Sequence, residues 1–281
     1  MTTASENKKL ISVLIRSVGV KEALKDALQS LLSQSYKYFE VVIIEDGKET
    51  LSGFLKEFNE LNINYIALGK NMGRCIAGNK AMGSAKGEYF IFLDEDDMFY
   101  PNHLETLISS INSSNTKVTF SYSEELGVER DSSGKISNKG KVTRRYKQKF
   151  SLPLLLVCNY IPINTVLFHR SLFEQYGGFD EEVDYLEDWL LWVKYACNNE
   201  FFSCTGKYTT LYHVPLRKNV YKNRRKKLRE SKNLIKNKIS KLDCSLDIDS
   251  LRKDVNGIKG FYILFRRILN LISLNIHRFF A

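Results

Sequence analysis

Tyr89-Phe90-Ile91-Phe92-Leu93-Asp94-Glu95-Asp96-Asp97 joins a five-residue apolar run to four consecutive carboxylates. The apolar half reads as a buried strand, and the acidic half as the loop leaving its C-terminal end. Upstream, residues 10–15, 40–44 and 63–68 are three more short apolar runs, the second rich in β-branched residues. Amphipathic patterns at residues 22–32, 51–61 and 76–85 lie between them and predict helices. Strand–helix alternation at this spacing predicts an α/β fold with a mostly parallel sheet flanked by helices. Ligands of such sheets bind beyond the C-terminal strand ends. Polar motifs stand at those places: Asp46-Gly47 after the second strand, Asn71-Met72-Gly73 after the third, and the acidic run after the fourth.

Four crowded carboxylates raise one another's pKa unless a cation sits among them. Asp94 and Asp96 are two residues apart, so on extended backbone their side chains point to the same side. That arrangement suits Mg²⁺ or Mn²⁺ held by one or two carboxylates plus substrate phosphates. Helix capping is the plainer alternative, because Pro101 opens the next helical pattern and acids favour a helix N-terminus. Asp46 can accept a hydrogen bond from a base N–H or a ribose hydroxyl, although Asp-Gly is also an ordinary turn.

Beyond residue 101, the polar stretch 124–145, with Ser132-Ser133-Gly134 near its middle, reads as a solvated hairpin or loop. Apolar content returns at residues 152–157 and 161–168. Gly177-Gly178-Phe179-Asp180 breaks the chain before a helix expected over residues 186–196, and residues 208–214 read as a last short strand. Residues 1–214 form one expected domain and residues 215–281 a basic helical tail.

With 43% hydrophobic residues among 281, the chain has enough apolar material for a folded body. Five scattered cysteines without a Cys-x-x-Cys pair argue against a disulfide framework or a zinc site, and favour a reducing compartment. The N-terminal apolar run is too short for a signal peptide, and no stretch reaches roughly 18 uncharged apolar residues. A cytoplasmic protein is therefore expected. Residues 214–281 carry 18 Lys and Arg against 5 Asp and Glu, whereas residues 1–213 carry 24 against 27. The positive excess thus sits in the tail. Residues 261–280 separate on a helical wheel into an apolar face, with Phe261, Phe265, Ile268, Leu269, Ile272, Ile276 and Phe279, and a polar face flanked by Arg267 and Arg278. That is the pattern of an interfacial membrane helix, so peripheral attachment to an anionic membrane surface at the cytoplasmic face is expected. A helix packed on the body or on a second subunit is the alternative. Nucleic acid is not expected as a partner, because the body is slightly acidic.

These pieces resemble a known family. Ile11-Ser12-Val13-Leu14-Ile15, Leu28–Tyr36 in sequence, and Phe39–Gly47 in sequence are similar to the opening of inverting family 2 glycosyltransferases of the bacterial surface-polysaccharide type. Asn71-x-Gly73 through Asn79, Ala85-Lys86-Gly87-Glu88-Tyr89 and Leu93–Asp97 in sequence resemble its central block. Gly177-Gly178-Phe179-Asp180-Glu181, continuing to Glu187-Asp188-Trp189-x-x-Trp192, resembles its acceptor-side block. The resemblance implies the GT-A fold, in which a nucleotide-binding half adjoins an acceptor-binding half. It implies Asp46 as a contact to the nucleotide base, Asp94 as a ribose or metal-shell residue, and Asp96 as the metal- and diphosphate-binding position. Asp188 matches the general base. The implied cofactor is Mn²⁺ or Mg²⁺, the donor a nucleotide-sugar such as a UDP-sugar, and the acceptor a glycan or polyprenyl-linked glycan.

The chemistry is consistent with that assignment. A single displacement needs a base to take the acceptor proton and an electrophile for the departing diphosphate. Three stretches depart from the family pattern. Arg16-Ser17-Val18-Gly19 stands where many members read Pro-Thr-Tyr-Asn. Ala77-Gly78-Asn79 replaces the common Ala-Arg-Asn, with Arg74 upstream as a substitute phosphate contact. Tyr212-His213-Val214-Pro215 replaces Tyr-Arg-x-His, and places His213 toward the diphosphate or metal. A non-catalytic nucleotide-sugar-binding or scaffold protein on the same fold is the main alternative. It predicts loss of the acidic cluster or of Asp188, and both are present.

Overall fold

The structure, a computed structural model, describes residues 8–198, 200–216 and 218–244. The first half alternates as expected: β1 (Ile11–Ser17), α1 (Lys21–Leu32), β2 (Phe39–Glu45), α2 (Ser52–Leu55), β3 (Ile63–Ala67), α3 (Arg74–Ser84) and β4 (Tyr89–Phe92). A two-residue β5 (Met98–Phe99) and α4 (His103–Ser114) follow the acidic run. The second half contains β6 (Val118–Arg130), β7 (Ile136–Tyr146), α5 (Leu152–Val157), β8 (Val166–His169), α6 (Arg170–Tyr176), α7 (Glu187–Cys197), β9 (Phe202–Pro215) and α8 (Lys218–Ile239).

All of these strands form one sheet, ordered β3-β2-β1-β4-β8-β6-β9-β5, with β7 paired to β6. The run β3-β2-β1-β4 is parallel. Past β4 the pairing is mixed: β8 is antiparallel to β4 and β6, β6 is parallel to β9, and β5 and β7 are antiparallel to their partners. Within the parallel run β2, β1 and β4 are buried on both faces, which is why they read as largely apolar runs rather than alternating ones, while the edge strand β3 is only half-buried. Alternate residues serve different layers. Leu14, Val42 and Ile44 pack with α3, α7 and α8 on one face, while Val13, Ile15 and Val41 pack with α1 and α4 on the other.

The 124–145 stretch is a hairpin, as one of its two readings expected, with register irregularities along β6 and an outer strand whose residues are mostly exposed. The last strand is longer than the expected 208–214, because β9 runs through Gly206 (φ 69°) and a register shift against β6. The cysteine expectation fails at one pair: Cys197 and Cys244, 47 residues apart, are disulfide-bonded. They are distant in sequence, but α8 turns back over α7 and buries Ile235 and Ile239 in the core, which returns the chain to the end of α7. Among the described residues, no helix is long and apolar enough to cross a membrane. The amphipathic segment 261–280 lies outside the described residues.

Candidate active site

The C-terminal ends of β1, β2 and β4 open onto a cleft of about 320 Å³. Of the residues singled out in the sequence, Asp46, Arg74, Asp94 and Asp96 line it together with Arg16, Glu95 and Arg130. His213 and Asp188 are not among the lining residues: His213 touches the lining residue Asp96, and Asp188 follows Glu187, which is held by the lining residue Arg16.

Asp46 directly follows β2 and is 6% exposed. Its carboxylate accepts the Met72 N–H at 2.5 Å and the Gly73 N–H at 3.0 Å, which fixes the loop that starts α3. A carboxylate at a helix N-terminus is favoured by the unpaired amides there. Gly73 has φ 98°, in the region that favours glycine, so the backbone can turn directly over Asp46. Arg74 is the first residue of α3; its guanidinium lies 4.9 Å from the Tyr185 ring centre and 3.8 Å from Glu187 Oε1.

The turn after β4 is closed by the Asp97 N–H on the Asp94 carbonyl, at 3.0 Å. Its carboxylates diverge in role. Asp94 accepts three hydrogen bonds from Arg16, two through Nη2 at 2.7 and 2.9 Å and one through Nε at 3.0 Å. Glu95 accepts the Ser17 hydroxyl and the Val18 N–H, and burial raises it to about 7. Asp96 is exposed on the cleft. Asp97 is fully buried; its two oxygens accept the His213 N–H at 2.9 Å and Asn164 Nδ2 at 3.0 Å. His213 Nδ1 donates to the Asp96 carbonyl at 2.5 Å, and Arg130 donates to the same oxygen at 3.1 Å. Burial lowers the pKa of His213 and so favours the neutral ring. With Nδ1 as donor, Nε2 carries a lone pair, and it has no hydrogen-bond partner. The capping alternative for the acidic run finds no support in α4, whose N-cap is Asn102 without a side-chain cap bond.

Opposite this turn, α7 begins at Glu187 after Leu186, a non-glycine residue at φ 65°. Glu187 is 4% exposed and accepts Arg16 Nη1 at 2.7 Å. Asp188 Oδ1 accepts Asn159 Nδ2 at 3.0 Å and the Trp189 N–H at 2.8 Å. Burial first, and then the neighbouring Glu187 charge, raise Asp188 to about 7. Arg16 therefore spans the cleft, holding Asp94 on one side and Glu187 on the other. Burial alone lowers its pKa, but the charges of Asp94 and then Glu187 outweigh that and keep it cationic.

Arg16, Glu187, Asn159 and Asp97 are site residues that no sequence expectation assigned. Arg16 did carry a signal, being the only charged residue in the buried strand β1. Gly78 explains its placement. A Cβ there would meet Phe179 Cε2 at 2.5 Å and Arg16 Cδ at 3.5 Å, so no side chain fits at position 78, and the guanidinium beside it comes from Arg16 of β1.

Comparison with known proteins bears on the fold and the family. S. aureus TarS superposes with a TM-score of 0.65 at 20% identity, covering 93% of this chain and 43% of TarS. The mannosyltransferase PcManGT of Pyrobaculum calidifontis, solved with GDP-Man and Mn²⁺, gives a TM-score of 0.62 at 12% identity, covering 96% of this chain and 87% of that one. The fold is the GT-A fold. An uncharacterized glycosyltransferase of Rickettsia typhi is 30% identical over 189 residues, which is 66% of this chain and 58% of that relative's length. The sequence model of glycosyl transferase family 2 matches residues 12–177, more than half of the chain, which therefore belongs to that family.

Proposed function

We propose that the chain transfers a sugar from a nucleotide-sugar donor to a hydroxyl of a glycan or lipid-linked glycan, with inversion at the anomeric carbon. The observation that carries this reading is the bridge that Arg16 makes from the cleft to α7: it holds Asp94, which lines the cleft with Asp96, and Glu187, the α7 residue that precedes Asp188. Solved TarS complexes with UDP and with UDP-GlcNAc support a UDP-sugar as the donor.

On the donor side, Asp46 faces the base, Asp94 the ribose, and Arg74 the phosphates. Asp46 is already oriented by two amides and keeps lone pairs for a further donor. On the acceptor side, Asp188 is the base. Its Oδ1 is anchored twice, which leaves Oδ2 to receive the acceptor proton as the hydroxyl attacks. With its pKa near 7, Asp188 is a stronger base than a solvated aspartate, with about half of the molecules ionised at neutral pH. The residues present fit a divalent metal. Asp96 supplies an exposed carboxylate and His213 an unpartnered Nε2, and with a donor diphosphate they would hold Mn²⁺ or Mg²⁺. The described residues include no group of three or more such ligands, so the diphosphate is required to complete the set. When bound, the metal offsets the charge of the leaving diphosphate. Peripheral membrane association belongs to this proposal and rests on the pattern of residues 261–280.

Thermal shift with UDP-, GDP- and dTDP-sugars, each with Mn²⁺ and with EDTA, tests the reading. A ligand at about 100 times its Kd stabilises a fold by roughly 2.7 kcal/mol. One nucleotide class is expected to stabilise the wild type, with the shift lost in EDTA and in Asp96→Ala. No shift with any donor, in a folded sample, would remove the metal and donor assignments.

A further inference from the structure

We propose that Arg130 is a positioning residue of the donor site: it clamps the tip of the β6–β7 hairpin to α1 and to the turn after β4, and so fixes the backbone that carries Asp96. The inference rests on the donor-site reading above and adds to it a residue from a distant element.

The tip is a turn closed on itself. The Asp131 N–H donates to the Lys135 carbonyl at 3.0 Å, and the Gly134 N–H to the Asp131 carbonyl at 3.1 Å. Asp131 Oδ1 accepts the Ser133 hydroxyl at 2.6 Å, the Ser133 N–H at 2.9 Å and the Lys135 N–H at 3.2 Å. Ser132 and Ser133 are exposed, but Gly134 is buried, because the tip lies on the start of α1. A Cβ at Gly134 would stand 2.2 Å from Val20 Cγ1 and 3.6 Å from the Ala23 nitrogen, and φ of 93° also favours glycine there. Val20 and Ala23 line the cleft, so the tip rests against the cleft's own wall.

Arg130 turns this contact into a three-way joint. Its Nη1 donates to the Gly134 carbonyl at 2.8 Å and faces Asp26 Oδ2 of α1 at 3.5 Å. Its Nη2 donates to the Asp96 carbonyl at 3.1 Å. A planar guanidinium holds two acceptors in one fixed geometry, which an ammonium does not. His213 Nδ1 donates to the same Asp96 oxygen, so groups from β6 and β9 converge on one peptide of the acidic turn. The exposed Asp96 carboxylate is the proposed metal ligand. On a loose turn it would have to be ordered at the moment of binding, and a turn ordered beforehand avoids that cost. Losing a hydrogen bond from a charged donor shifts an equilibrium by roughly tenfold or more.

Amide exchange of the full chain without ligand, read by mass spectrometry, tests the clamp itself. Arg130→Gln and Gly134→Ala are expected to speed exchange at residues 94–98 by about tenfold and to leave β2 unchanged. Titration with UDP, in Mn²⁺ and in EDTA, reads the consequence. In the wild type Mn²⁺ is expected to tighten UDP binding tenfold or more. That gain should drop to threefold or less in both variants, and also in Arg130→Lys, which keeps the charge and loses the fork. Unchanged exchange at residues 94–98 overturns the proposal. So does exchange that rises equally in β2, which would make Arg130 a residue of general stability. A full Mn²⁺ gain in Arg130→Lys overturns it too, because the charge and not the placement of Asp96 would then serve the donor. Failure of the wild type to bind UDP, or equal binding in EDTA, would fault the donor-site reading instead. The role of Arg130 in donor binding would fall with it, and the exchange data would tell the two failures apart.

Discussion

Asp188 accepts both of its hydrogen bonds on Oδ1, from Asn159 and from the Trp189 N–H. Burial beside Glu187 raises its pKa to about 7, so protonation switches the proposed base off within the working range. kcat/KM should fall tenfold per pH unit below about pH 7, and a profile flat down to pH 5 would exclude Asp188 as the base. The stability sign is opposite to that of an ion-paired carboxylate. The unfolded chain releases this proton near pH 3.9 and the folded chain only near pH 7, so stability falls as pH rises through that window. Asp188→Asn should therefore lose turnover by about 10²-fold or more. It should bind UDP normally, and melt a few degrees higher than wild type at pH 8 with a smaller gain at pH 5. A loss of melting temperature at pH 8 would show that the ionised carboxylate stabilises the fold.

At the scale of elements, α3 is fitted to the acceptor loop with little tolerance. Asn79 takes the Phe179 N–H and donates to the Phe179 carbonyl and Glu181, while the Phe179 ring lies against bare Gly78. Gly78→Ala puts a methyl group 2.5 Å from a ring atom of a 5% exposed phenylalanine. Overpacking of this kind costs about 1–3 kcal/mol, despite the helix propensity of alanine. Urea denaturation should show that loss, and a stabilised Gly78→Ala would mean that Phe179 moves freely. The same elements show why parts of the fold were readable. The runs in β1, β2 and β4 are apolar because both faces are covered, and the polar loops after them mark the site. β6 and β9 were legible only in fragments, since bulges and Gly206 break the alternation that a strand pattern needs. Asp46, Asp94 and Asp96 sit on loops next to such runs and Arg74 at the start of α3, and their gathering in one cleft could be read. Asn159 acts through a contact made only after folding, and nothing in its neighbours announces it; Asp97 stands in the acidic run, but its buried bonds to His213 and Asn164 separate it from the rest only in the fold.

Over the whole molecule, the parallel half β3-β2-β1-β4 carries the proposed donor side, and α7, packed with α5 and α6, carries the proposed base. Arg16 ties the two across 78 residues to Asp94 and 171 residues to Glu187, from a side chain 7% exposed. Removing one member of a buried ion pair leaves an uncompensated charge, which typically costs 3–5 kcal/mol. Asp94, whose side chain is 26% exposed, can recover water, but Glu187 at 5% cannot. The cost of Arg16→Gln should therefore come mainly from Glu187, and Glu187→Gln should relieve much of it. A double-mutant cycle by urea denaturation is expected to give a coupling of about 1–3 kcal/mol between the two sites. Additive effects would mean that the bridge contributes no net stability, and that each half holds its carboxylate without the other. If coupling is found, Arg16→Gln/Glu187→Gln should be folded, and its UDP affinity then asks a separate question. Retained affinity would show that Arg16 joins the halves without forming part of the donor contact. A tenfold or greater loss would show that holding Asp94 in place is how the bridge serves the nucleotide.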